Sequence, residues 1–322
     1  GRSEMAALVE EMRASLAGSA RGQDWSRASR RLYEVLIQPI EGQFNPDCAT
    51  SAEACTTLII VPDGPLRALA FAALRDWTAG AGSYLIQKTR LAIAPALAYA
   101  QPGQVAAGRD ASVVSAWVDS DVTLSAGVFR QLAAARSEAY AAADLPGVPE
   151  EAGHGPCMPS GALLCNFSAR DLSEALSTGR VDVLHLATHA SFEGRTDRSF
   201  IVANNEAIPL VQLRRMIARN RLRADELDLL VLSACETARG DDQASMGLAG
   251  AAVQAGARSA LASLWQVNDS STSELMRLFY QHYRTGEAKA EALRAAQLAL
   301  IAGGEYDHPH HWAAFMLIGG WR

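Results

Sequence analysis

Two side chains capable of acyl transfer stand at matched places in this chain. An alternating apolar stretch, Val181 to Ala187, runs out at Thr188-His189, and a second, Leu227 to Ser233, runs out at Ala234-Cys235. Both stretches read as strands, and one helix-length crossover, Leu210 to Arg219, separates them. That order predicts neighbouring parallel strands whose carboxyl ends share an edge, the edge at which open parallel sheets bind ligands. An imidazole that takes a thiol's proton makes it a nucleophile, so His189 and Cys235 are the minimum apparatus of cysteine acyl transfer. Taken singly, each has a plainer reading: a cysteine ending a buried strand is a small hydrophobe, and a lone histidine a structural or surface residue. His185 and His189 also spell H-x-x-x-H, a metal pair on a helix. On a strand the same four residues span about 13 Å, so His185 is read as a structural neighbour rather than a co-ligand.

The elements that must position this pair alternate cleanly in the second half of the chain. Ser168-Ala-Arg-Asp171 is a capping box opening a helix. The strand Val181 to Ala187, the helix Leu210 to Arg219, the strand Leu227 to Ser233, a helix Met246 to Ala255 and a strand Ser259 to Trp265 follow. Helices Ser271 to Tyr283 and Ala288 to Ala302 precede a closing apolar segment, Trp312 to Ile318. Such alternation specifies a mostly parallel sheet with helices on its faces, an α/β fold. The first half opens with helical periodicity from Glu4 to Gln43. It continues with a strand, Thr57 to Val61, closed by the turn Pro62-Asp63-Gly64-Pro65, and a helical Leu69 to Leu74. Tyr84 to Ile93 and Ser112 to Val118 read as strands, and Phe129 to Ala143 as an Ala-rich helix. Leu145 to Ser160, rich in proline and glycine, marks a long connection. The expected division is a helical lead-in over 1–44, an α/β half over 45–150 and a second half over 151–322.

Composition narrows the function. At 322 residues, 49% hydrophobic and 20% charged, the chain is a folded globular protein rather than a disordered or fibrous one. A formal charge of −6 leaves no basic surplus for neutralising phosphates, so direct nucleic-acid binding is set aside. Five cysteines, an odd set without C-x-x-C, read as those of a reducing compartment. With no signal-like apolar run and no Leu-rich span, the expectation is a cytoplasmic protein that does not enter a membrane. Gly1, in place of an initiator methionine, is expected of a fragment or a tag scar.

Four ordered motifs then resemble those of one family: Leu186-Ala-Thr-His189-Ala-Ser-Phe192, Leu230-Val-Leu-Ser-Ala-Cys235-Glu-Thr237, Leu261-Ala-Ser-Leu-Trp265-Gln-Val-Asn-Asp269 and His308-Pro-His-His-Trp312-Ala-Ala-Phe315. They resemble the successive motifs of CHAT domains, caspase-like modules of the clan shared with caspases and separases. Ile60-Val-Pro-Asp63-Gly-Pro-Leu66, Phe71-Ala-Ala-Leu74 and Pro95-Ala-Leu97 fit that family's N-terminal half. The resemblance implies a caspase-like sheet preceded by a pseudo-protease-like half, and a Cys-His peptidase with His189 as base and Cys235 as nucleophile. The 46 residues between them are close to the roughly 50 of caspases. It further implies an oxyanion hole from the backbone N–H groups of Ala190 and Cys235.

Departures restrict what is carried over. Caspases have Gln-Ala-Cys-x-Gly where this chain has Ser233-Ala-Cys235-Glu-Thr237, so aspartate specificity is not inherited. Ala190 replaces a frequent glycine and serves if its φ is negative. Asp269 matches the separase position that receives a basic P1 side chain, which implies cleavage after Arg or Lys; alternatively it caps the helix starting near Ser271. Glu236 either lines the same pocket or holds its loop. His308, His310 and His311 read as structural. No cofactor or metal is implied. The resemblance suggests a regulated endopeptidase acting on a protein, for example a gasdermin-like effector in bacterial defence or cell death, with a repeat-containing or activator partner. The rival expectation is a catalytically silent scaffold that binds partners.

Overall fold

In the computed structural model the continuous apolar runs form strands buried on both faces, as parallel sheets require. The structure describes residues 1–18, 24–45, 48, 55–77, 82–101, 111–144, 162–191, 199–221, 227–233, 253 and 256–322. Among these, the strands are β1 Thr57–Ile60, β2 Arg75–Asp76, β3 Ser83–Tyr84, β4 Arg90–Ile93, β5 Val113–Trp117, β6 Val122–Leu124, β7 Gly127–Phe129, β8 Leu163–Cys165, β9 Val183–Ala187, β10 Ala190–Ser191, β11 Phe200–Ala203, β12 Glu206–Pro209, β13 Leu229–Leu232, β14 Ser259–Ser263 and β15 Phe315–Gly319. The helices are α1 Arg2–Ala17, α2 Ser26–Leu36, α3 Leu85–Lys88, α4 Ala135–Ala142, α5 Ala169–Thr178, α6 Leu210–Arg221, α7 Asp269–Arg284, α8 Lys289–Gly303 and α9 Pro309–Trp312.

Eight strands make one sheet in the order β1-β4-β15-β14-β13-β9-β5-β8. Every pairing is parallel except β14 with β15. The sheet therefore takes strands from both sides of residue 150. β15 completes it by pairing antiparallel to β14 on one side and, through Ile318 and Ile93, parallel to β4 on the other. Gly319 closes β15 at φ +96°, where a Cβ would stand 2.4 Å from the Arg258 carbonyl oxygen, so a side chain has no place there. The expected crossover holds: β9 and β13 are adjacent, with Leu186 opposite Leu232.

Helices α4, α7 and α8 pack side by side, and α4 also rests on β5 and β9. The Ser168 capping box opens α5. The lead-in belongs to the main core, because Met12, Leu16 and Leu32 are buried within it.

Several expectations are corrected. Tyr84 to Ile93 is not one strand: Tyr84 ends β3 and the Gln87 side chain accepts its N–H, so a turn of helix intervenes before β4. The segment from Phe129 begins not as helix but as the second arm of the β6–β7 hairpin, and helix starts at Ala135. The antiparallel β10–β11–β12 sheet was not anticipated. The reading of the cysteines as unpaired is also overturned, since Cys48 is disulfide-bonded to Cys55 and Cys165 is disulfide-bonded as well. Arginine side chains flank the first bridge, Arg294 donating to the Cys48 carbonyl and Arg90 to that of Cys55. The helix expected over Met246 to Ala255 and the connection Leu145 to Ser160 fall almost wholly or wholly outside the described residues. No helix among those residues is long and apolar enough to cross a membrane.

Candidate active site

His189 follows β9 by two residues and is half-buried at the carboxyl edge of the sheet. Its Nε2 lies 2.7 Å from the Arg130 carbonyl oxygen. A carbonyl can only accept, so Nε2 carries a proton, and in the neutral ring Nδ1 is then the acceptor. The Phe129 ring lies against the imidazole, centroids 5.6 Å apart. On the neighbouring strand, Ser233 follows β13 and donates its N–H to the Leu186 carbonyl at 3.3 Å, which locks the two strand ends together. His189 comes three residues after Leu186, and Cys235 three after its register partner Leu232. Cys235 and Glu236 themselves lie outside the described residues.

A turn of backbone straps His189 from the side. Arg130 to Ala134 connect β7 to α4, and both ends of this strap are anchored. Upstream, the Gln131 N–H donates to Asp121 Oδ1 at 2.8 Å and the Arg130 guanidinium to Oδ2 at 2.7 Å. Downstream, the Ala134 N–H donates to Asp269 Oδ2 at 2.6 Å. Asp269 thus caps α4, a helix distant in sequence, while Asn268 caps α7 by accepting from the Ser271 N–H. The alternative reading, in which Asp269 caps the helix starting near Ser271, is not what the structure has. At the far end of α4, Arg284 donates to the Ala141 and Ala142 carbonyls at 2.6 Å each. One helix, α7, therefore supplies a carboxylate to the positive end of α4 and a guanidinium to its negative end, matching its dipole.

Asp269, His189, Ser233, Glu138 and Gln266 line one small cavity, about 20 Å³. That holds about one water molecule. Burial pushes the Asp269 carboxyl above its usual range and the Glu138 carboxylate pushes the same way, while the Ala134 N–H and the His189 imidazole oppose them. A much wider cleft, about 520 Å³, lies between α4, α7 and α8, but His189 is not among its walls, so its size says nothing about this chemistry.

Ala190 opens β10 opposite Ile201. The adjoining ladder bond runs from the Val202 N–H to the His189 carbonyl, so Ala190 is a non-hydrogen-bonded pair and its own N–H points out of the ladder. Ala190 does not have positive φ, so alanine is unstrained there. His185 is fully buried, Nδ1 2.9 Å from the Tyr280 hydroxyl and Nε2 3.0 Å from Glu138 Oε1, a structural contact joining β9, α7 and α4. The closing histidines lie together but take separate partners: His310 meets the Leu16 carbonyl, His311 the Ser271 hydroxyl, and His308 receives the His310 N–H. Sequence reasoning missed the Arg130 carbonyl and its anchor Asp121. A backbone oxygen has no residue type to betray it, although Asp121, ten residues before Gln131 across a hairpin, could have been found had the hairpin been recognised.

An α/β sheet with a histidine and a cysteine following adjacent parallel strands defines the class. The CHAT domain family matches residues 26–320, and the chain belongs to that family. Tetratricopeptide repeat protein 28 of Mus musculus is 23% identical over 90% of this chain but 13% of its own length. The Homo sapiens protein of that name is 34% identical over 23% of this chain and 3% of its own. The chain thus spans a small part of the curated relatives it matches. Two solved structures are similar. The Arg-specific cysteine proteinase gingipain R shares 9% identity at a TM-score of 0.48, covering 99% of this chain and 74% of that one. A complex of the pro- and mature domains of Porphyromonas gingivalis RgpB shares 7% at 0.45, covering 99% and 76%.

Proposed function

We propose that this chain is a regulated cysteine endopeptidase that cleaves a protein substrate after Arg or Lys. The observation that carries the reading is the tethered imidazole: with Nε2–H held by the Arg130 carbonyl, Nδ1 is free to accept a proton from a thiol at the neighbouring strand end. In the reaction, the Cys235 proton passes to Nδ1 and Sγ bonds to the scissile carbonyl carbon. The resulting oxyanion is stabilised by the N–H groups of Ala190 and Cys235. The imidazolium returns its proton to the leaving amine, and water then hydrolyses the thioester. Asp269, a carboxylate in the same cavity as His189, is the partner for a basic P1 side chain, with Glu236 beside the nucleophile as a second wall.

The cavity's size supports regulation, because an arginine side chain does not fit in about 20 Å³ unless a wall moves. The same observation favours the second reading, a silent scaffold that binds partners. The curated relatives are named for tetratricopeptide repeats, in keeping with a repeat-containing partner or activator. Purified wild type and Cys235→Ala, assayed on a P1-randomised peptide library and labelled with a peptidyl electrophile, separate the readings. Hydrolysis after Arg and Lys with labelling that vanishes in Cys235→Ala supports the peptidase. Turnover retained in the variant, or a wild type that neither turns over nor labels in the presence of its partner, removes it.

A further inference from the structure

Asp121 does not touch His189, yet the two are joined by a single peptide. The Arg130 carbonyl accepts from His189 Nε2–H, and the N–H of the same planar unit, at Gln131, donates to Asp121 Oδ1. A carboxylate at the N–H end of a peptide polarises it and makes its carbonyl a stronger acceptor. The order of groups is therefore carboxylate, peptide, imidazole. We propose that Asp121 is the positioning acid of the His189 site, acting through the Arg130–Gln131 peptide to orient the imidazole and to stabilise its protonated form.

The fold is built for this relay. The β6–β7 hairpin, whose strands pair from Val122 with Phe129 to Leu124 with Gly127, returns the chain so that Asp121 stands beside Gln131. The carboxylate is held below its usual range first by the Gln131 N–H and then by the Arg130 guanidinium, so it is charged at neutral pH. Asp119 steadies the same strap, accepting from the Gln131 side chain at 3.1 Å while paired with Arg136. Among the described residues, the other charged groups near His189 are Asp269 on α7 and Glu138 on α4, which line its cavity, and the Arg130 side chain, which partly neutralises Asp121. Arg130 and Asp121 thus act in opposite senses on the imidazole.

The kinetic consequence rests on the peptidase reading, but the basicity of His189 does not, so the test uses both. Imidazole ¹⁵N signals are titrated by NMR in the Cys235→Ala background, with His189→Ala assigning the resonance. Asp121→Asn keeps an acceptor for the Gln131 N–H and removes only the charge. It is expected to lower the His189 midpoint by about half a pH unit, the scale of one partly screened charge. Arg130→Gln is expected to raise it. In the active chain, Asp121→Asn should lower kcat several-fold with KM unchanged and move the acid limb of the pH profile down with the midpoint. Midpoints that stay put in both variants, or move the same way, overturn the proposal. Turnover surviving Cys235→Ala overturns the peptidase reading instead, and the titration is then judged on its own.

Discussion

The two ends of β9 and β13 carry paired chemistry with the same spacing and opposite finish. At the amino ends stand Asp182 and Asp228, 46 residues apart, as are His189 and Cys235 beyond the carboxyl ends. The register that sets Val183 opposite Leu229 aligns both pairs. At the amino end the polar groups are closed off. Asp228 is buried with Lys289 Nζ at 2.8 Å and the Tyr283 hydroxyl at 3.2 Å. Asp182 accepts from the Ser112 N–H and the Arg180 guanidinium, each at 2.8 Å. At the carboxyl end, His189 has Nε2 tied to a backbone carbonyl and lies beside a carboxyl whose pKa burial has raised. One register thus aligns two buried, paired carboxylates at one end with a half-buried imidazole at the other.

Breaking the carboxyl end should cost activity and spare the fold. On the proposed peptidase reading His189→Ala removes the base and is expected to lower kcat/KM by about 10³-fold or more, the upper range of general acid–base catalysis, with an unchanged thermal midpoint; a large fall in Tm would place His189 in the core's support instead. Breaking the amino end should do the reverse. Asp228→Ala strands the Lys289 ammonium, and losing one member of a buried pair costs about 3–5 kcal/mol, on the order of 10 °C in Tm. Specific activity of the molecules still folded should be unaltered, which active-site titration beside calorimetry can check.

The smallest effect sharpens the contrast by its sign. Asp269 has a raised pKa, so as pH falls the folded state takes up this proton before the unfolded chain does. Its ionised form therefore weighs against folding above the folded pKa, and that burden lifts as pH falls towards the ordinary carboxylate range. Asp269→Asn keeps an acceptor for the Ala134 N–H and should be slightly more stable than wild type at neutral pH, with the advantage shrinking in acid. Denaturant melts at pH 7 and pH 4 measure it, and a variant that is less stable at pH 7 would mean that the charge itself holds α4.

What the sequence disclosed followed from continuous patterning. β9, β13 and β14 are fully buried apolar strands, so their positions and the residues ending two of them were legible, as was the Ser168 cap. What stayed hidden depends on contacts between distant segments. The β6–β7 hairpin takes Phe129 from the start of what looked like an Ala-rich helix, because Gly127 and Val128 before it carry little periodicity of either kind. The cap that Asp269 places on Ala134 spans 135 residues and breaks no local rule. The disulfide between Cys48 and Cys55 was masked by an odd total count. The Arg130 carbonyl belongs to a peptide any residue could supply.

The place of β15 in the sheet bears on how the molecule comes into being. As the ribosome extends the chain, β1 and β4 emerge early, and the strands around His189 follow, yet the two groups have no hydrogen-bonded neighbour in common until Phe315–Gly319 arrives. Among the described strands the sheet is closed by the latest-made one, a non-local pairing of the kind that forms slowly. A nascent chain, or one clipped before β15, therefore lacks the strand that joins β1 and β4 to the strands around His189, and a chain that stops short of β15 should sediment with chaperones rather than as a finished domain.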